Sequence, residues 1–176
     1  MNDLKDKIFD KYFVKCEPVS DICKDLNIIR KEFAEIAKQI ENERKEEILE
    51  MRRIRTLYHN KKNLKGYKFG DFYTFYFWYL EQYKAQKGKC YYCETEEEVL
   101  RLLFTKKYTN SKRSNRGKHL EIERKDPNSN DYSKENCVLA CYFCNNDKSD
   151  IFSEDEYRDY LKNRKEFFRV QFEQLK

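Results

Sequence analysis

The sequence predicts a mostly helical α+β fold, and three observations carry that prediction. Only four Gly and two Pro interrupt 176 residues, so stretches with apolar residues at helical spacing run unbroken. One short segment has a different period: Leu120 and Ile122 alternate with His119, Glu121 and Glu123, the two-residue repeat of a strand. After a polar turn over residues 126–131, the run Cys137, Val138, Leu139, Ala140 reads as the returning strand. Third, one Cys-x-x-Cys pair precedes this hairpin and another follows it directly, so the small sheet lies between two cysteine knuckles.

Charged residues make up 39% and aromatics 16%, a mix that favours a folded, helix-rich chain over a disordered one. The length allows one domain or two small ones. The expected division is a helical region over residues 1–65 and a second region over 66–176. The net charge of +5 is modest, but its distribution is uneven. Residues 101–119 hold seven Lys or Arg and no acid, which suits a segment facing phosphates as well as a solvated loop. Arg113, Arg116 and Lys118 are its candidate phosphate contacts. No stretch is apolar for long enough to span a bilayer, and the chain opens MNDLKDK rather than with a basic flank and an apolar run. A cytoplasmic protein with no membrane partner is expected. Seven cysteines, four of them in the two pairs, suit reduced, metal-binding thiols better than a disulfide framework. Cys16, Cys23 and Cys137 are expected to be small buried residues.

Taken in order, residues 3–14 carry Leu4, Ile8, Tyr12 and Phe13 at helical spacings, and Pro18 marks the break. From Val19, Ile22 and Leu26 share one helical face, and Asn27 stands at a turn that tolerates left-handed backbone. Ile28, Phe33 and Ile36 follow, and small Cys23 sits where two helices would cross. This stretch, residues 19–36, resembles the helix-turn-helix of DNA-binding proteins, with Asn27 where Gly is more usual. The resemblance implies a recognition helix that begins near Ile29 and turns Arg30 and Lys31 toward DNA. An ordinary pair of amphipathic helices would show the same spacing.

Residues 32–58 contain no Gly or Pro and predict one long helix, with Ile36, Ile40, Ile48, Met51 and Leu57 among its apolar residues. Arg52, Arg53 and Arg55 near its end could meet a DNA backbone or simply form a solvated helix end. Gly66 and Gly70 mark a linker. Asp71 caps a helix over residues 72–86 whose aromatics cover nearly the whole circumference, as in a helix buried on several sides. Gly88 ends it and delivers the chain to Cys90. A short helix over residues 95–104 precedes the basic segment. Ser153 with Glu156 forms a capping box ahead of a packing helix that carries Tyr157, Tyr160, Leu161, Phe168 and Phe172.

Cys90-Tyr-Tyr-Cys93 and Cys141-Tyr-Phe-Cys144 supply four thiolates in two tight knuckles, which is how a structural zinc is held with no open position. The separation of the pairs exceeds that of a simple zinc ribbon. The basic segment and the hairpin are inserted between them, so a zinc would pin both ends of the hairpin. Two redox-active Cys-x-x-Cys motifs would need a βαβ context that the sequence lacks.

Glu123-Arg124, Asn136 shortly before the second pair, Asn145 directly after the last Cys and Lys148 three further on then bring a family into view. Residues 90–152 resemble the HNH endonucleases of the ββα-metal type, and the most specific piece is N-x4-C-x2-C-N-x2-K from Asn136 to Lys148. The resemblance implies a zinc-stapled ββα motif and phosphodiester hydrolysis on double-stranded DNA. It implies that Glu123 is the acidic ligand of a catalytic magnesium or manganese ion, that Asn145 completes that site, that Asn136 braces the hairpin loop and that Lys148 contacts phosphate. The sequence departs from the family at Arg124, where the family usually has the His that activates water. Arginine stays charged and cannot accept that proton. The base must come from elsewhere, and strand alternation offers His119 and Glu121 on the face of Glu123. Arg124 could instead stabilise charge developing on the phosphate. Without a base, the same residues describe a non-catalytic, zinc-containing DNA-binding protein on a degenerate scaffold. A homodimer would place two sites on two strands, but no heptad argues for one.

Overall fold

The structure is a computed structural model and describes residues 2–109, 114–161, 169–170 and 172–175. It divides into two compact units. The first comprises Met1–Asn60 and Gly70–Phe77, and the second Lys61–Phe69 and Trp78–Lys176. Helices dominate, with one two-stranded antiparallel sheet, as a mostly helical α+β chain requires. Among the described residues no helix is long and apolar enough to cross a membrane.

The first unit begins with α1 (Asn2–Ile8), whose helical course continues through a wider π-type turn over Phe9–Val14. Next come α2 (Val19–Asp25), α3 (Arg30–Glu43) and α4 (Lys45–Lys61). Asn27 does adopt the left-handed conformation, φ 51°, and the Glu32 carboxylate accepts the Ile29 N–H to start α3. Phe33, Ala37 and Ile40 of α3 and Ile48, Met51 and Ile54 of α4 are buried at helical intervals.

Two expectations are corrected in this unit. The long helix over residues 32–58 is two helices, broken at Arg44, which has φ −114° and ψ 29°. Its guanidinium holds Glu47 and Asp6 and lies 3.6 Å from the centre of the Phe9 ring, so a side chain rather than Gly or Pro sets the break. Of the three cysteines expected to be buried, Cys137 is, whereas Cys23 is half-buried and Cys16 is exposed with φ 57°. Two arginines of the basic cluster also have internal partners. Arg55 donates to the Phe13 and Val14 carbonyls at 2.7 and 2.8 Å, and Arg53 pairs with Glu50.

Helix α5 (Phe72–Ala85) starts in the first unit, where Asp71 accepts the Thr74 N–H at 2.8 Å, and runs into the second. Phe75, Tyr76, Trp78 and Tyr79 on it are all buried. The second unit continues with α6 (Glu97–Leu102), α7 (Ser114–Gly117), β1 (Glu121–Arg124), β2 (Cys137–Ala140), α8 (Tyr142–Lys148) and α9 (Glu154–Tyr160). The expected capping box is present: Glu156 N donates to Ser153, and Ser153 N to the Glu156 carboxylate. Tyr157 and Leu161 are buried by it, whereas Phe168 lies outside the described residues.

Strands β1 and β2 pair with Glu121 opposite Ala140, Ile122 opposite Leu139, Glu123 opposite Val138 and Arg124 opposite Cys137. The strand begins two residues later than the alternation predicts. The loop between the strands is anchored on the linker: Tyr132 N donates to the Gly66 carbonyl and Lys68 N to the Tyr132 carbonyl. Gly66, φ +94°, is required there, because a Cβ would stand 2.0 Å from the Asn130 carbonyl oxygen.

Candidate functional site

The first knuckle is shaped by backbone. Cys90 N donates to the Thr95 carbonyl and Glu94 N to the Cys90 carbonyl, while Glu94 takes a left-handed φ of 62° to turn the chain back. The second knuckle is the start of α8, where the Cys141 sulfur caps the helix by accepting the Cys144 N–H. Cys141 N in turn donates to the Cys90 sulfur at 3.2 Å. All four cysteines are buried, and their sulfurs lie within 4.8 Å of one another. Zn–S bonds of roughly 2.3 Å in a tetrahedron separate the sulfurs by roughly 3.8 Å. The Cys93 and Cys141 sulfurs are 3.7 Å apart.

The cluster's electrostatics point the same way. Hydrogen bonds from Cys141, Cys144 and Cys90 hold Cys93 below the ordinary thiol range. Cys141 is pushed well above that range by its bonds to Cys144, Cys90 and Cys93. Four sulfurs thus compete for protons in a buried site, and a divalent cation bound there would displace those protons. The four thiols could hold a metal ion such as zinc. Among the described residues no other group of three or more His, Cys, Asp or Glu side chains converges in this way.

The knuckles are tied to the sheet. Tyr91 N donates to the Leu139 carbonyl at 3.0 Å. The Gln86 amide both accepts the Leu139 N–H and donates to the Leu139 carbonyl, so a side chain closes this edge of β2 as a third strand would. Order along the chain is therefore strand, strand, helix, with the helix beginning inside the cysteine cluster.

Helix α8 packs across β1. Leu120, Glu121, Ile122 and Glu123 are all buried, the two glutamates to 7% exposure each. Each buried carboxylate has a basic partner. Lys148, from the last turn of α8, is completely buried, and its ammonium lies 3.3 Å from the Glu123 carboxylate and 3.0 Å from the Arg124 carbonyl. Lys148, expected at a phosphate, therefore stands in the core as the counter-charge of Glu123. Burial pushes the Glu123 carboxyl up to about 7, against the pull of Lys148. Glu121 accepts both arms of the Arg116 guanidinium and the Asn145 amide. Arg116 also lies 5.3 Å from the Tyr142 ring centre, with its side chain 46% exposed.

Other site residues fall as follows. Asn136 braces the hairpin loop: its Nδ2 donates to the Asp126 and Asp131 carbonyls and to Ser129, and its Oδ1 accepts the Asp126 N–H. Arg124 pairs with Asp150, donates to Asn130 and covers the Tyr132 ring, leaving its side chain 11% exposed. It is built into the loop's frame. Lys118 is half-buried, and Arg30 and Lys31 are exposed at the start of α3. Arg113 lies outside the described residues. His119 is half-buried, and its Nδ1 lies 3.3 Å from the carboxylate of Glu97. Glu97 escaped the sequence reading. Its signal was position alone, since it stands three residues before buried Leu100 and so on the inward face of α6.

The oxygen donors of Glu123 and Asn145 are of the type a hard divalent cation takes, but Glu123 is buried against the Lys148 ammonium. The pairing differs from what the resemblance implies, because hydrogen bonds join Asn145 to Glu121 and Lys148 to Glu123. Comparisons with protein-family models, with curated proteins and with solved structures find no match.

Proposed function

We propose that this chain is a metal-dependent endonuclease of the HNH, ββα-metal type, which hydrolyses phosphodiester bonds of double-stranded DNA. One observation supports the reading most. The hairpin and α8 follow one another from a four-cysteine cluster, and they face Glu121 and Glu123 of β1 toward Asn145 and Lys148 of α8. Under this reading the cysteines hold zinc, which fixes the strand and helix that carry the acidic and amide oxygens. A magnesium or manganese ion on Glu123 and Asn145 would polarise the scissile phosphate and stabilise the departing 3′-oxygen. Asn136 keeps the loop closed while DNA is bound, and Arg116 and Lys118 meet the phosphate backbone. Arg30 and Lys31 are the DNA contacts of the first unit.

Incubation with supercoiled plasmid in magnesium or manganese gives nicked or linear product that disappears in EDTA and in Glu123→Ala. Absence of cleavage with every metal rejects the enzyme. That outcome, with retained binding in a gel-shift assay, would establish the second reading, a non-catalytic DNA-binding protein on the same scaffold. The second reading draws on Arg124, which takes the place of the family's base, and on Lys148, which occupies Glu123.

A further inference from the structure

We propose that Glu97 and His119 form a carboxylate–imidazole dyad in which Nε2 of His119 takes the proton of the attacking water and Glu97 is the positioning residue. The inference rests on the nuclease reading above and decides between its two candidate bases.

Glu121 is committed. Both of its oxygens accept from Arg116, one of them also from Asn145, and the residue is buried. Taking a proton there would break a bidentate charge-assisted contact. His119 is differently placed. Its side chain is 29% exposed, and only Nδ1 has a hydrogen-bond partner among the described residues. That partner is fixed. Glu97 is 4% exposed in its side chain, its Oε2 accepts the Leu120 N–H at 2.9 Å, and the Arg101 guanidinium stands 3.5 Å from its Oε1. One carboxylate therefore holds both the backbone at the entrance to β1 and the ring one residue before it.

The chemistry follows from what each atom can do. An ionised carboxylate accepts and does not donate, so Nδ1 carries the imidazole proton and the lone pair is left on Nε2. In the step, the water O–H bond breaks and its proton passes to Nε2 while the water oxygen forms the new bond to phosphorus. The electron pair of the breaking P–O bond leaves with the 3′-oxygen, which takes a proton from solvent. The imidazolium, whose charge Glu97 offsets, returns its proton to solvent.

Glu97→Gln separates this role from a packing role. The Leu120 N–H requires an oxygen, so the glutamine turns its NH₂ toward His119, and Nδ1 must then accept. The ring proton moves to Nε2 and the base is lost. The chain has two histidines, so His59→Gln leaves a single imidazole to observe. Ring ¹⁵N spectra at alkaline pH should show Nδ1 protonated in that background and Nε2 protonated after Glu97→Gln. Plasmid cleavage should fall by about 10²–10⁴-fold in turnover, the range of a general base, with KM unchanged. His119→Gln should lose as much, and the double variant no more. An Nε2-protonated ring in the His59→Gln protein overturns the dyad without need of any variant of Glu97. Equal cleavage by Glu97→Gln also overturns it. A protein that never cleaves fails at the nuclease reading itself, and the proton-acceptor role falls with it.

Discussion

Lys148 is completely buried, and that single fact governs how its neighbours behave. Its ammonium is tolerated because Glu123 and the Arg124 carbonyl accept from it. Removing one member of such a buried pair strands the other, at a cost of about 3–5 kcal/mol. Lys148→Met is therefore expected to destabilise the protein by about that much. Adding Glu123→Gln to Lys148→Met should recover a large part of the loss, which chemical denaturation of the single and double variants measures. Equal, additive losses would mean that the pair carries no coupling. Burial of this kind is what the sequence could not announce. Alternation in His119 to Glu123 correctly separates the carboxylates from Leu120 and Ile122. Whether the polar face meets solvent or a helix depends on where α8 lands, and no residue within the strand encodes that. Glu97 was hidden for the same reason, since an acid in a charged segment looks solvated until its partner His119, roughly 75 Å of extended chain away, is folded onto it.

At the scale of elements, start signals were the most legible feature, because a cap is a local contract between residues three apart. Asp71 with Thr74 and Ser153 with Glu156 both make the hydrogen bonds that their spacing announces. The break at Arg44 was not legible. Propensity favours continuing the helix, and the partners that favour stopping, Asp6 and Phe9, come from a distant segment. The hairpin and knuckles were read from strand period and cysteine spacing, which are again local. What holds the basic segment near them was not, and there the constraint is Gly117. A Cβ on it would lie 2.1 Å from the Phe104 ring, which is buried and stacked on Phe143 at 5.5 Å. The ring has nowhere to go. Gly117→Ala should therefore lower stability by about 1–3 kcal/mol, the usual cost of overpacking. Phe104→Leu in the same chain should relieve it, and thermal melts of the three variants decide. A Gly117→Ala protein as stable as the parent would show that α7 can shift away from the ring without loss.

For the whole molecule the cysteine cluster matters most by where it belongs. Cys90, Cys93, Cys141 and Cys144 all lie in the second unit, as do β1, β2 and α8, while the buried rows of α3 and of α4 up to Ile54 belong to the first. The first unit has an apolar core built from helical faces. The second contains four buried thiols that could hold a metal ion and a two-stranded sheet too small to be stable alone. A metal bound by the four thiols would therefore add folding free energy to the second unit. Stripping the metal with a chelator should open amides of β2 and α8 to hydrogen exchange while those around Ile40 and Met51 stay protected. Local openings of this kind follow the cooperative unit that loses its support. Mass-resolved exchange with and without chelator reads both sets in one sample. Protection lost together in both units would mean that the cluster stabilises the entire chain. Protection kept in both would mean that the hairpin stands without metal, and the structural role assigned to the four cysteines would fall.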